Sequence, residues 1–225
     1  MKKQSLFNSK VDVIISENQD GNMRFFEGNE QEIIQNQAKL GKSIELESKD
    51  IARIRTIYGE RQDFTEYAEI SREELKEYTI NNPENLIPTS DGLITKEPNV
   101  GLLLPLADCL GIVVFDGKNL GLLHAGRQNI EQDGPKKFIE FFVEKLGSKP
   151  ENIKAYFSPY SINYRINKLN KKLGTAAKEQ LLTAGVSLDN VLDAEEDTVE
   201  GINLPSHSSG DTRKRFAIIA KIKQL

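Results

Sequence analysis

The sequence predicts one α+β domain over residues 1–225, a mixed β-sheet with flanking helices. Three observations carry this reading. Short apolar runs, most of them with β-branched residues, recur at 11–15, 102–106, 111–115 and 216–222, and read as strands. Stretches of helical period with recognisable ends lie among them. The two kinds do not alternate as regular βαβ units, which sets the chain apart from doubly wound parallel sheets. No repeat, low-complexity tract or long linker divides the 225 residues.

Residues 11–15 and 23–26 read as a hairpin across Gln19-Asp20-Gly21-Asn22. Asn29 is placed to cap a helix running to about Leu40, with Ile33, Ile34, Gln37 and Leu40 along one side and Gly41 as its stop. Residues 51–58 alternate apolar and basic side chains, a half-buried strand ending at Tyr58-Gly59. Residues 71–78 form a short polar helix in which Ser71 and Glu74 make a capping box. Pro83 and Pro88 punctuate a loop over 81–90.

In the central block, the strands at 102–106 and 111–115 precede an Asp116-Gly117 turn, and residues 120–123 return as a third strand. That strand ends at His124 and the small pair Ala125-Gly126. Asp133 is then expected to cap a helix with Pro135 in its first turn, Phe138, Phe141, Phe142 and Leu146 turned inward, and Gly147 at its close. Residues 153–157 make a strand before Ser158-Pro159, and 164–182 read as largely helical up to Gly185, with Lys168, Lys171 and Lys172 as a solvated face. The acidic run at 194–200 (Glu195, Glu196, Asp197, Glu200) lacks EF-hand spacing and reads as a solvated loop. Residues 216–222 supply the final strand.

Composition narrows the function classes. With 38% apolar and 7% aromatic residues the chain can bury a sizeable core. A net charge of −4 with 28% charged residues gives a mildly acidic protein without the basic stripe of a nucleic-acid binder. The single cysteine excludes an internal disulfide and fits a reducing compartment. The N-terminal residues have no apolar signal region, and no stretch approaches the ~18 apolar residues of a membrane span. The expected setting is the cytoplasm, with neither membrane nor nucleic acid as a partner.

Cys109 and His124 are the one cysteine and one of two histidines. If their runs pair around the Asp116-Gly117 turn, thiol and imidazole come to the same end of the sheet. Soft sulfur beside imidazole nitrogen is zinc chemistry or Cys–His nucleophile chemistry. The competing reading is a small core cysteine and a hydrogen-bonded structural histidine.

The block resembles the laccase-domain family, also called polyphenol oxidase-like or purine nucleoside phosphorylase proteins. That family carries an aspartate–glycine segment with a following threonine, then ADC, then HAGWRG. Here the order is Asp91-Gly92-Leu93-Ile94-Thr95, Ala107-Asp108-Cys109 and His124-Ala125-Gly126. Asn36 resembles the family's asparagine in the first long helix. Ser158-Pro159 through Ile166 and Ser206-His207 through Ala217 resemble later segments, so the likeness extends over nearly the whole chain.

The resemblance implies an α-β fold and a zinc site of one cysteine and two histidines. It implies phosphorolysis of adenosine or inosine and deamination of adenosine, without a redox cofactor, on small-molecule substrates (a purine nucleoside and phosphate). Carried over by residue, Cys109 and His124 are the implied metal ligands and catalytic residues. Asp108 would orient a ligand, and Tyr58, Arg127 and Arg215 would contact substrate.

The chain also departs from the pattern. Thr56-Ile57-Tyr58-Gly59 stands where the family has QVHG, so Tyr58 replaces a histidine ligand. A phenol, with a pKa of about 10, binds zinc poorly unless the metal strips its proton. Tyr58 and His207 are thus the two candidates for the third ligand. HAGWRG has become HAGRQN, with Arg127 for the tryptophan and Gln128 for the arginine; Ser208 and Ser209 replace two arginines, and Lys214 stands beside the retained Arg215. Arg127, Arg213 and Lys214 either compensate for the lost cations or are surface charges. Two other readings stay open: a metal-free nucleoside-binding or regulatory protein, and a thiol hydrolase with Cys109 as nucleophile and His124 as base.

Overall fold

The computed structural model describes residues 1–25, 29–53, 63–81 and 90–224. Two large sheets carry the chain. The first orders its strands β1 (Lys2–Leu6), β2 (Val11–Ile15), β13 (Phe216–Ile222), β6 (Gly101–Leu106) and β3 (Ile51–Arg53). The second orders β12 (Val191–Asp193), β9 (Lys154–Phe157), β7 (Leu110–Phe115), β8 (Leu120–Ala125), β5 (Gly92–Thr95) and β4 (Tyr67–Glu69). β10 (Arg165–Ile166) and β11 (Lys171–Lys172) form a small separate hairpin. Both large sheets are mixed: β3–β6, β4–β5 and β9–β12 pair parallel, the other neighbours antiparallel. The expected α+β architecture is therefore built on two sheets rather than one.

Packing explains why the central strands read as unbroken apolar runs. Val13, Leu104 and Ile218 of the first sheet share one core with Val113, Leu120 and Leu122 of the second, so the sheets face each other. Ile14, Leu103 and Ile219 point the other way, into a core that includes Leu40 of α1 (Glu30–Lys42). Ile112, Val114 and Leu123 point onto Phe138 and Phe142 of α4 (Gly134–Leu146) and Leu173 and Leu181 of α5 (Leu173–Thr183). The layers run helix, sheet, sheet, helices. A strand buried on both faces needs no polar alternation. Among the described residues no helix is long and apolar enough to cross a membrane.

Several elements differ from expectation. Val11–Ile15 does not pair with residues 23–25, which form no strand; it pairs with β1 through a turn in which Phe7, Asn8 and Ser9 take left-handed backbone angles. β1 is a polar edge strand with two lysines, a composition that suits an edge but hides a strand. Gly41 does not end α1, which runs on to Lys42. It is there for space, because a Cβ would stand 2.3 Å from Ile51 Cδ1. Asn29 and Asp133 occupy the expected cap positions without side-chain capping bonds. Phe138 and Phe142 are buried as expected, while Phe141 and Leu146 are only half-buried. The Ser71–Glu74 capping box is formed at the start of α2 (Arg72–Tyr78).

Residues 164–172 form no α-helix; they make a small hairpin around a single 3-10 turn at Asn167–Leu169, and α5 starts only at Leu173. Leu173 N–H donates to Tyr164 O at 2.9 Å and closes the β10–β11 hairpin, whose turn is set by Asn170 in the left-handed region. Of the strand expected over 51–58, Ile51–Arg53 is present and fully buried rather than half-buried. Its continuation through Tyr58, and most of the loop over 81–90, lie outside the described residues.

Candidate functional site

β7 and β8 pair antiparallel with Gly111 opposite His124 and Leu110 opposite Ala125. The residue before β7 is Cys109, so thiol and imidazole do reach one end of the second sheet. His124 alternates with Leu120 and Leu122 and so shares their face, toward the other sheet. It is 4% exposed, and its backbone N–H donates to the backbone carbonyl of Asp91 at 2.7 Å. Gly126 follows β8 directly. A Cβ placed there would lie 3.3 Å from Cys109 Sγ, 3.3 Å from His124 Nε2 and 2.9 Å from His124 Cε1. Sulfur and nitrogen thus flank one point, and glycine keeps it open.

Two hollows meet at Cys109. The smaller, about 160 Å³, is lined by Phe64, Cys109, His124, Gly126, Gln128 and Asn129. The larger, about 390 Å³, is lined by Cys109, Asp108, Tyr164, His207 and three arginines, Arg24, Arg127 and Arg215. Arg127 opens α3 (Arg127–Glu131), lines both hollows and reaches Glu131 at 3.6 Å.

The expected site residues divide accordingly. Cys109 and His124 are brought together, with Arg127 beside them and Arg215 across the larger cleft. His207 is exposed on the wall of that cleft and does not line the hollow that holds His124. Arg213 and Lys214 are exposed and line neither hollow. Tyr58 lies outside the described residues. Sequence reasoning missed Arg24, Phe64, Asn129 and Tyr164. None of the four carries a local signal; the place of Arg24 is set by Asn22, whose Oδ1 also accepts from Arg215 N.

Asp108 acts on a different neighbour from the one expected. Its carboxylate accepts from Thr198 Oγ1 at 2.9 Å and from Ser208 N and Oγ at 2.7 Å each. It braces the C-terminal segment that bears His207 rather than Cys109 or His124. Burial opposes its ionisation, but hydrogen bonds from Ser208, Ser206 and Thr198 outweigh that and hold its carboxyl below the usual carboxylate range. A folded pKa below the unfolded one means that the brace is complete above about pH 4 and is lost as pH falls through the depressed value. Hydrogen-exchange protection of the Ser208 amide is expected to hold from neutral pH to that point and then fall. Asp108→Ala is expected to lower it at least tenfold at pH 7. Parent-like protection in that variant would show that other contacts hold the segment.

A catalytic zinc takes three protein ligands and one open position. Cys109 and His124 with the space above Gly126 supply two ligands. Among the described residues no group of three or more His, Cys, Asp or Glu side chains is clustered to hold a metal, so His207 does not complete a triad with them. The described donor set is one ligand short of a catalytic zinc site.

Comparison with known proteins gives the chain a family and a fold. A family model described as multi-copper polyphenol oxidoreductase laccase matches residues 16–168, a span that contains Cys109 and His124. The purine nucleoside phosphorylase of Borreliella burgdorferi is 33% identical over 99 residues, 42% of this chain and 43% of that protein. Purine nucleoside phosphorylase YlmD of Bacillus subtilis is 35% identical over 75 residues, 32% of this chain and 27% of that protein. The matched stretch therefore spans less than half of each curated relative. The hypothetical protein YfiH of Bacillus licheniformis superposes with a TM-score of 0.82 at 17% identity, covering 95% of this chain and 93% of its own. YlmD of Geobacillus stearothermophilus does so with a TM-score of 0.81 at 17% identity, covering 95% and 92%. The fold is shared along nearly the whole chain, and with the match over residues 16–168 the chain belongs to the polyphenol oxidoreductase laccase family.

Proposed function

We propose that this chain is a purine nucleoside enzyme, working by phosphorolysis of adenosine or inosine or by deamination of adenosine, at Cys109 and His124. The observation that carries this reading is the thiol and imidazole flanking the open point above Gly126, beside a 390 Å³ cleft. That volume lies near the lower end of the roughly 300–1,000 Å³ of small-molecule sites, as suits a nucleoside. The names of the curated relatives support it. The copper chemistry in the family's description gains no such support. The 225 residues carry two histidines and one cysteine, enough for at most one His₂Cys copper centre.

Phosphorolysis breaks the bond between the anomeric carbon and the purine nitrogen while a phosphate oxygen bonds to that carbon. The departing purine needs a proton. In this reading His124 sits where it can move one, and the guanidinium groups of the cleft hold the anion. Zinc belongs to the family reading, but with two described ligands no step is assigned to it.

The test is turnover of adenosine and inosine with phosphate, followed by chromatography, beside the zinc content of the same preparation. Cys109→Ala and His124→Ala are expected to lose at least 100-fold in turnover while remaining folded. Near-stoichiometric zinc that disappears in Cys109→Ala would mean that a residue outside the described set completes the site. Folded, metal-replete protein without turnover would overturn the reading. Tight nucleoside binding in that case would favour a binding protein, which the two-ligand set already suits.

A further inference from the structure

The chain has six tyrosines and no tryptophan. Of these, Tyr67 and Tyr160 turn their rings onto Phe138 and Phe157, and Tyr156 is buried. Tyr164 differs. It is 38% exposed on the wall of the larger cleft, and among the described residues no aromatic ring or guanidinium stacks on it. Pro105, Leu106, Ala107 and Leu173 line the same cleft. An apolar lining with one open aromatic ring suits a flat, weakly hydrated group better than an ion.

The backbone that carries this ring is fixed to the Cys109 loop. Ser161 N donates to Asp108 O at 3.0 Å, Tyr164 N to Ser161 O at 3.1 Å and Leu173 N to Tyr164 O at 2.9 Å. Three bonds in series thus tie Tyr164 to the residue before Cys109 on one side and to the start of α5 on the other. Ser161, Ile166 and Leu173 are buried, so the relay is sheltered and the β10–β11 hairpin is anchored at its base. A tyrosine mounted in this way has only two side-chain torsions left to fix when a ligand arrives.

We propose that Tyr164 is the residue on which the purine base stacks, with Ser161 as its positioning residue. Stacking reads the π face of a base and not the groups on its edge, so it tolerates different bases. Tyr164 therefore holds adenosine and inosine alike and leaves any choice between them to other groups. With the base against Tyr164, the sugar is directed toward Cys109, to which the relay fixes the ring. The ring provides the contact, and the hydroxyl does not. The assignment rests on reading the larger cleft as the substrate site.

Calorimetric titration of the full chain with adenosine and with inosine tests this, together with tyrosine fluorescence, which is readable because tryptophan is absent. Tyr164→Ala is expected to weaken both nucleosides about tenfold or more and by similar factors. Tyr164→Phe should bind both within about threefold of the parent. Leu188→Ala, exposed and outside the cleft, should bind like the parent. Adenosine is expected to quench the parent's tyrosine emission saturably, and Tyr164→Phe should lose most of that quenching while still binding. A merely structural tyrosine would not show this last effect. The assignment is overturned if the parent binds neither nucleoside in the millimolar range, or if Tyr164→Ala binds both like the parent at parent-like melting temperature. It is also overturned if the quenching persists in full in Tyr164→Phe. Tyr164-dependent binding without turnover would overturn the proposed activity and leave the base site standing. Turnover with an unchanged KM in Tyr164→Ala would do the reverse.

Discussion

Phe138→Ala is expected to remove about 3–5 kcal/mol of stability, read from urea unfolding as a lowered midpoint at nearly constant slope. Phe138 is fully buried in α4 and meets Tyr67 at 4.8 Å and Phe142 at 5.3 Å, both edge-on. Beneath it lie Gly92 of β5 and Gly121 of β8. A Cβ on Gly121 would come within 2.7 Å of Phe138 Cζ, and one on Gly92 within 2.8 Å of Cε2. The ring rests on bare backbone, so no neighbouring side chain on that side can move into the space left by its removal. This argues for the upper part of the range, since the cost of a deleted ring grows with the volume that stays empty. The effect also reaches the site, because β8 carries His124 one residue before its end and α4 presses on β8 at Gly121. A loss below about 1 kcal/mol would mean that the helix settles onto the sheet, contrary to the packing described.

The residues that make the site were largely legible in sequence, and the reason is physical. β6, β7 and β8 are buried on both faces, so each stands out as a short apolar run, interrupted in β8 only by His124. The Asp116-Gly117 turn fixes β7 against β8 and so carries Cys109 to His124. β13 was legible for the same reason. What local pattern could not show was partnership. β13 pairs with β2 at Ile218↔Ile15 and with β6 at Ile218↔Leu104, contacts about 200 and 100 residues apart in the chain. The division into two sheets follows from those pairings, which no run of residues announces. β1 escaped notice because an edge strand is polar, and the β10–β11 hairpin because its lysines and leucines also suit a helix. Arg24 escaped because its place depends on Asn22, and that of Asn22 on Arg215 and Asn36.

Gly126→Ala is expected to lower nucleoside turnover about 100-fold while costing only about 1–3 kcal/mol of stability. The backbone at Gly126 has φ −84° and ψ 175°, angles open to any residue, so the glycine answers no conformational need. It answers a need for space. The new methyl group would sit 2.9 Å from His124 Cε1, inside any normal contact, and 3.3 Å from both Nε2 and Sγ. The imidazole is nearly enclosed, and the thiol is fixed by the start of β7, so relief comes from displacing one or both by a few tenths of an ångström to an ångström. A misplacement on that scale is what makes an intact set of groups unproductive. The methyl would also cover the thiol from the imidazole side. Because Cys109 is the only cysteine, its alkylation rate reports on that point independently of any assumed substrate, and it is expected to fall. Slower alkylation with lost turnover places the reacting atoms above Gly126. Parent-like turnover with slower alkylation would mean that the chemistry lies elsewhere in the cleft, on the arginine side of Cys109.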